Sequence, residues 1–168
     1  KPNPLNKYGI SKLNGEINCI KSNEESLIIR TSWSFSSFGN NFVKKIISLI
    51  EMNKDIDVVS DQFGSPTYVG DLASAVIKIV ENDSWKHGIY NFCNDGEVSR
   101  YQLACDIRDI LNSNCKINKI KSSDFDFKVQ RPKYSVLDNN KIKKAFNLTI
   151  PHYIESLNHC IKIIKDDK

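Results

Sequence analysis

An alternation of two hydrophobic periods constrains the fold of this chain more than any other feature. Short apolar, β-branched runs of strand length are separated by longer runs whose apolar residues fall three and four apart. The strand-like runs are Ser26–Trp33 (SLIIRTSW), Ile56–Val59, Gly88–Cys93 and Lys116–Ile120, with a shorter extended piece at Tyr134–Leu137. The first helical run opens at Asn3-Pro4, which reads as a cap and a first helical residue, and extends to about Lys21. Further helical runs cover Phe42–Met52, Asp71–Glu81, Ser99 to about Leu111, Asp138 to about Phe146, and a last one from Pro151. Ser99 and Gln102 have the spacing of a capping box, and Ile154, Leu157, Ile161 and Ile164 make one stripe. An α/β layer architecture follows. Within it, Ser26–Trp33 reads as a buried parallel strand that ends in a functional loop, Ser34–Asn41. In the turn-rich loop Asp61–Thr67 (DQFGSPT), Gly64 can take positive φ, and Pro66 holds Ser65 extended.

Composition excludes several classes. With 168 residues, 40% hydrophobic and 26% charged, the chain is globular, of a size for one domain or two small ones. No apolar run is long enough for a membrane span, and Lys1-Pro2-Asn3-Pro4 is no secretory signal, so a cytoplasmic location is expected. The net charge of +4 comes from lysines scattered along the chain, which is not the clustered footprint of a nucleic-acid binder. Five cysteines, at least ten residues apart and odd in number, form no C-x-x-C pair. Free, buried thiols are expected rather than zinc ligands or disulfides. His87, His152 and His159 also lack ligand spacing, so no metal site is expected.

Tyr8 and Lys12 stand at i and i+4 on the first predicted helix and share a face. A phenol is a poor proton donor at neutral pH unless a nearby cation stabilises the phenolate, and Lys12 is placed to supply that cation. Alone the pair is weak, because about one Y-x-x-x-K spacing is expected by chance in a chain this rich in Lys and Tyr. The surrounding residues make it specific. Asn3 to Glu16 (NPLNKYGISKLNGE) resembles the catalytic helix of the extended short-chain dehydrogenases/reductases, P-x-x-x-Y-G-x-S/T-K-x-x-x-E. The likeness continues in order through Ile29–Trp33 (IRTSW), Gly39–Val43 (GNNFV), Val59–Tyr68 (VSDQFGSPTY), Asp71–Ala73, Gly88–Asn91, Arg131-Pro132, Ser135–Asp138 and Pro151–Tyr153. As a set these resemble the dTDP-4-dehydrorhamnose reductase family.

The resemblance implies hydride transfer from NADPH or NADH to the C4 keto group of a dTDP-6-deoxy-4-ketohexose. Tyr8 would donate the proton to the C4 oxygen, and Lys12 would bind the nicotinamide ribose and make Tyr8 a better acid. Thr31 and Ser32 would lie beside the nicotinamide. Trp33 would line the sugar pocket, and Arg131 would contact the diphosphate through its planar fork. Asn41, at a helix start, would present its amide to a phosphate, and Gln62, Ser65 and Thr67 would belong to the substrate loop. Arg30 is assigned to structure, because it points opposite to its strand neighbours. Some family members dimerise and use Mg²⁺ at the dimer contact, but no acidic cluster here marks such a site.

One family feature is absent from these residues. The seven glycines form neither G-x-x-G-x-x-G nor G-x-G-x-x-G, the turn that binds a dinucleotide pyrophosphate. The expectation is therefore the C-terminal half of an extended Rossmann-type reductase, inactive by itself. Residues 1–36 would end the dinucleotide-binding domain, and residues 37–168 would form mainly the small α/β substrate domain, with some segments returning to the Rossmann sheet. Two other readings share this fold: a different nucleotide-sugar epimerase, dehydratase or reductase, and a non-catalytic subunit like that of methionine adenosyltransferase. R-T-S-W and D-Q-x-G-S-P-T argue against the first, and the presence of both Tyr8 and Lys12 argues against the second.

Overall fold

The computed structural model describes residues 2–81, 85–124 and 131–166. Helices and strands alternate as the hydrophobic periods require: α1 Lys7–Ser22, β1 Leu27–Arg30, β2 Ser34–Phe35, α2 Phe42–Glu51, β3 Ile56–Val59, β4 Phe63–Gly64, β5 Thr67–Tyr68, α3 Val69–Val80 and β6 Gly88–Asn91. They continue with β7 Val98–Ser99, α4 Arg100–Ile110, β8 Ile117–Ile120, β9 Tyr134–Ser135, α5 Asn140–Phe146 and α6 Tyr153–Asp166. Parallel pairs join β1 to β6, β2 to β5 and β3 to β8. The short β4 lies antiparallel to β7 and parallel to β9. None of the helices is long and apolar enough to cross a membrane among the described residues.

Several helix starts differ from the sequence expectation. Asn6, not Asn3, caps α1, accepting the Gly9 N–H at 2.9 Å. Pro4 packs against the new helix instead of beginning it, so closely that a Cβ on Gly9 would meet the Pro4 Cβ at 2.9 Å. Ser99 caps α4 through the Gln102 N–H, but the Gln102 amide turns to Asp106, so the capping box is half formed. Asn139 rather than Asp138 is the α5 cap, and the Asp138 carboxylate takes the Asn140 N–H at 2.8 Å. Asp71 lies in the first turn of α3, where its carboxylate accepts from Asn94 (2.6 Å) and Ser156 (2.5 Å). Arg30 has the structural role expected of it: its guanidinium grips both carboxylate oxygens of Glu16 and ties β1 to α1.

Two apolar cores form. The larger gathers α2, β3, α4, β8 and α6 around residues such as Val43, Ile46, Ile107, Leu157 and Ile161. The smaller gathers α3, β6 and α5 around Ile79, Tyr90, Phe92, Ile142 and Phe146, with Leu27 and Ile29 of β1 packed on it. Asn94, fully buried, joins them. Its carbonyl oxygen accepts the Tyr68 N–H, and its amide reaches Asp71, Ser156 and the Pro151 carbonyl.

Candidate functional site

The chain leaves β1 at Arg30 and passes over the C-terminal edge of the strand, the region where open α/β sheets present ligands. Thr31 bonds to Thr67 through their hydroxyls at 2.9 Å, and the Ser32 hydroxyl donates to the Ser65 carbonyl at 2.7 Å. These two bonds hold the backbone for the next residue, Trp33, which adopts φ +46°, a left-handed conformation uncommon for a bulky side chain. The Trp33 carbonyl then accepts the Thr67 N–H and begins the β2–β5 pair. Gly64 does not take the positive φ open to it. It is required for space, since a Cβ there would overlap the Trp33 indole.

Trp33 forms one wall of a cavity of about 610 Å³, within the range of small-molecule sites. Phe42, Gln62, Arg100 and Arg131 also line it, and Ile46, Leu49, Val58 and Ile120 supply an apolar surface. The Arg100 guanidinium lies 3.7 Å above the Trp33 ring and 4.9 Å from the Phe42 ring centre. Burial, and then repulsion from Arg131, push the Arg100 guanidinium down to a pKa of about 10. Gln62 is held at the cavity by donating to the Ser122 hydroxyl at 3.0 Å. Ser122 in turn donates its hydroxyl and backbone N–H to Asp61, lowering that carboxyl below its usual range.

Trp33, Gln62 and Arg131 are thus brought together at one cavity. Asn41 is occupied elsewhere. Its side chain accepts the Lys44 N–H and donates to the Ser36 carbonyl, so both ends of the amide serve the α2 cap. Ser65 and Thr67 are only 1% and 0% exposed. They brace the Trp33 loop and do not line the cavity. Tyr8 and Lys12 share a face of α1, with the Lys12 ammonium 5.4 Å from the Tyr8 ring centre, and neither lines the Trp33 cavity. Tyr8 is 70% exposed. Among the described residues no group of three or more His, Cys, Asp or Glu side chains is placed to hold a metal ion.

Sequence reasoning misses Arg100. A signal is present, because Arg100 opens α4, where a cation faces the positive end of the helix dipole. A charge so placed needs a reason beyond helix formation.

Parallel strands with covering helices, and a tightly braced loop running past the strand ends into a mixed cavity, define the class as the C-terminal portion of an extended Rossmann-type fold. The same fold occurs in the UDP-glucuronic acid 4-epimerase of Bacillus cereus, with a TM-score of 0.83 at 18% identity, over 100% of this chain and 55% of that one. Within that class the chain belongs to the RmlD substrate binding domain family, whose model matches residues 1–165. It is 39% identical over 155 residues to a dTDP-4-dehydrorhamnose reductase of Aggregatibacter actinomycetemcomitans, covering 86% of this chain and 53% of that protein. It also superposes on the dTDP-4-dehydrorhamnose reductase of Bacillus anthracis, solved in complex with NADP, with a TM-score of 0.89 at 34% identity, over 97% of this chain and 57% of that one. The chain therefore spans about half the length of the relatives it matches.

Proposed function

We propose that the protein containing this chain reduces the C4 keto group of dTDP-4-dehydrorhamnose, and that residues 37–168 supply most of the sugar-nucleotide site. The observation that carries this reading is the Trp33 cavity, which sets an aromatic wall and two guanidinium groups beside an apolar surface. That combination suits a ligand with a flat base, a diphosphate and a sugar. In this reading Trp33 packs on the sugar ring, Gln62 hydrogen-bonds the ligand, and Arg131 pairs with the diphosphate. Asn41, Ser65 and Thr67 act by shaping the loops around them.

The residues of α1 fit a nicotinamide cofactor. The Tyr8 hydroxyl and the Lys12 ammonium have no hydrogen-bond partner among the described residues and project from one helix face, a donor pair suited to a ribose and a reacting oxygen. When bound, NADPH or NADH supplies the hydride that reaches C4. Tyr8 gives its phenolic proton to the oxygen developing at C4, and Lys12 stabilises the phenolate left behind. The Thr31 and Ser32 hydroxyls are engaged with Thr67 and Ser65, so both residues contribute through the backbone they hold at the strand end. In this reading α1, β1 and the smaller core lie on the cofactor side of the molecule.

The test is the oxidation of NADPH and NADH by the protein as its gene encodes it, with dTDP-4-dehydrorhamnose as substrate. Turnover is expected, with kcat lowered roughly 10²-fold or more in Tyr8→Phe. A silent wild-type protein overturns the reading, and near-normal kcat in Tyr8→Phe removes Tyr8 from the chemistry.

A further inference from the structure

Arg100 presents an electrostatic imbalance that the described residues do not resolve. Its guanidinium is half-buried, lying on Trp33 and against Phe42 at the cavity wall, and among the described residues no carboxylate lies within ion-pair distance of it. A second guanidinium, that of Arg131, lines the same cavity and repels it. Lys45 adds a third cation to the lining. Among the described lining residues the one carboxylate, Asp57, accepts from the Asn118 amide at 2.9 Å. Aromatic stacking offsets part of the cost of withdrawing a cation from water, yet a desolvated cation beside a like charge is less stable than one with an anionic partner. The stack nevertheless has a definite use. It holds the planar fork of Arg100 at a fixed angle on the cavity wall, ready for two parallel N–H···O bonds.

We propose that Arg100 is an anion-recognition residue of the cavity, and that its guanidinium, held flat on Trp33, binds the diphosphate of a nucleoside diphosphate jointly with Arg131. This rests on the reading of the cavity as a sugar-nucleotide site. An anion between the two guanidinium groups removes their mutual repulsion and raises the depressed pKa of Arg100. Trp33 then has two duties, as the wall for the sugar and as the platform that orients the cation next to it. A purely structural Arg100 would act through its stem, packing over the indole and Phe42, and its charge would not matter to ligand affinity.

The two cases separate in calorimetric titrations of the intact protein with dTDP, UDP, thymidine and inorganic pyrophosphate. Arg100→Met keeps an unbranched stem over Trp33 and removes the charge. It is expected to weaken dTDP roughly ten- to a hundred-fold and to leave thymidine within two-fold, with Arg100→Lys intermediate. Equal losses for dTDP and thymidine, or dTDP affinity within two-fold of wild type, overturn the proposal. If wild type ignores thymidine and dTDP while UDP or pyrophosphate binds and depends on Arg100, the anion role stands and the dTDP-sugar reading fails. Should Arg100→Met not fold, phenylglyoxal labelling of the wild-type protein decides. Arg100 is expected to be protected by dTDP in peptide maps, and equal labelling with and without dTDP overturns the proposal. Absence of binding by dTDP, UDP and pyrophosphate alike overturns it as well.

Discussion

Single residues decide the shape of this site, and Trp33 shows how. Its left-handed backbone is held by the Thr31 and Ser32 hydroxyl bonds on one side and by the β2–β5 pair on the other, while Gly64 leaves room for the indole. Gly64→Ala places a methyl group where the ring lies, so the ring or the β4 backbone must shift. Overpacking of this kind costs about 1–3 kcal/mol. Thermal unfolding should show that loss together with weaker dTDP binding, and unchanged stability would mean the indole moves freely. Trp33, Gln62 and Arg131, which line the cavity, stand out in the sequence because each sits in a motif of recognisable neighbours. Ser65 and Thr67 are legible as parts of the same loop, but the direction of their side chains is not, since it depends on what the loop packs against. Arg100 lies in no motif, and its partners Trp33 and Phe42 come from distant stretches of chain.

At the scale of elements, the sequence reveals those long enough to carry a period. Among the described residues β1, β3, β6 and β8 and the helices α1 to α6 are visible in this way, with ends displaced by a few residues where caps compete. β9 falls within the extended piece read at Tyr134–Leu137, whereas β2, β4, β5 and β7 are two residues long each, too short for any alternation to show, and arise only because tertiary contacts align them. α6 is the element with the clearest pH signature. Burial raises the Cys160 thiol from about 9 to about 11, and burial together with the bond to Asp106 raises the Tyr153 phenol. For both groups the fold favours the neutral form, so their stabilisation is complete below the unfolded values and is lost as pH rises through the folded ones. Urea midpoints should therefore fall between about pH 9 and 11, and should fall less steeply in Cys160→Ala. Equal slopes in the two proteins would show that α6 does not sense the thiol.

At the scale of the whole molecule, two cores are held in register by a small polar junction. Asn94 alone bonds to the start of α3, to α6 and to the Pro151 carbonyl, and its deletion leaves the Tyr68 N–H and the Asp71 carboxylate short of partners in a buried setting. Asn94→Ala should cost about 2–4 kcal/mol by urea denaturation, and a loss below about 1 kcal/mol would mean that the cores hold together without it. This arrangement is hidden in the sequence because the chain crosses between the cores several times, so neither is a continuous segment. The two tryptophans lie in contrasting places in this framework. Trp85 is exposed, its indole N–H bonded to the Glu25 carbonyl at 2.8 Å, whereas Trp33 lies directly beneath a guanidinium. The excited state of an indole responds strongly to charge above its ring, so an anion that pairs with Arg100 where it lies on Trp33 alters the emission of Trp33 and leaves that of Trp85 unaffected. With Trp85 replaced by Phe, the filling of the cavity can be followed from the light the protein itself emits, without a label.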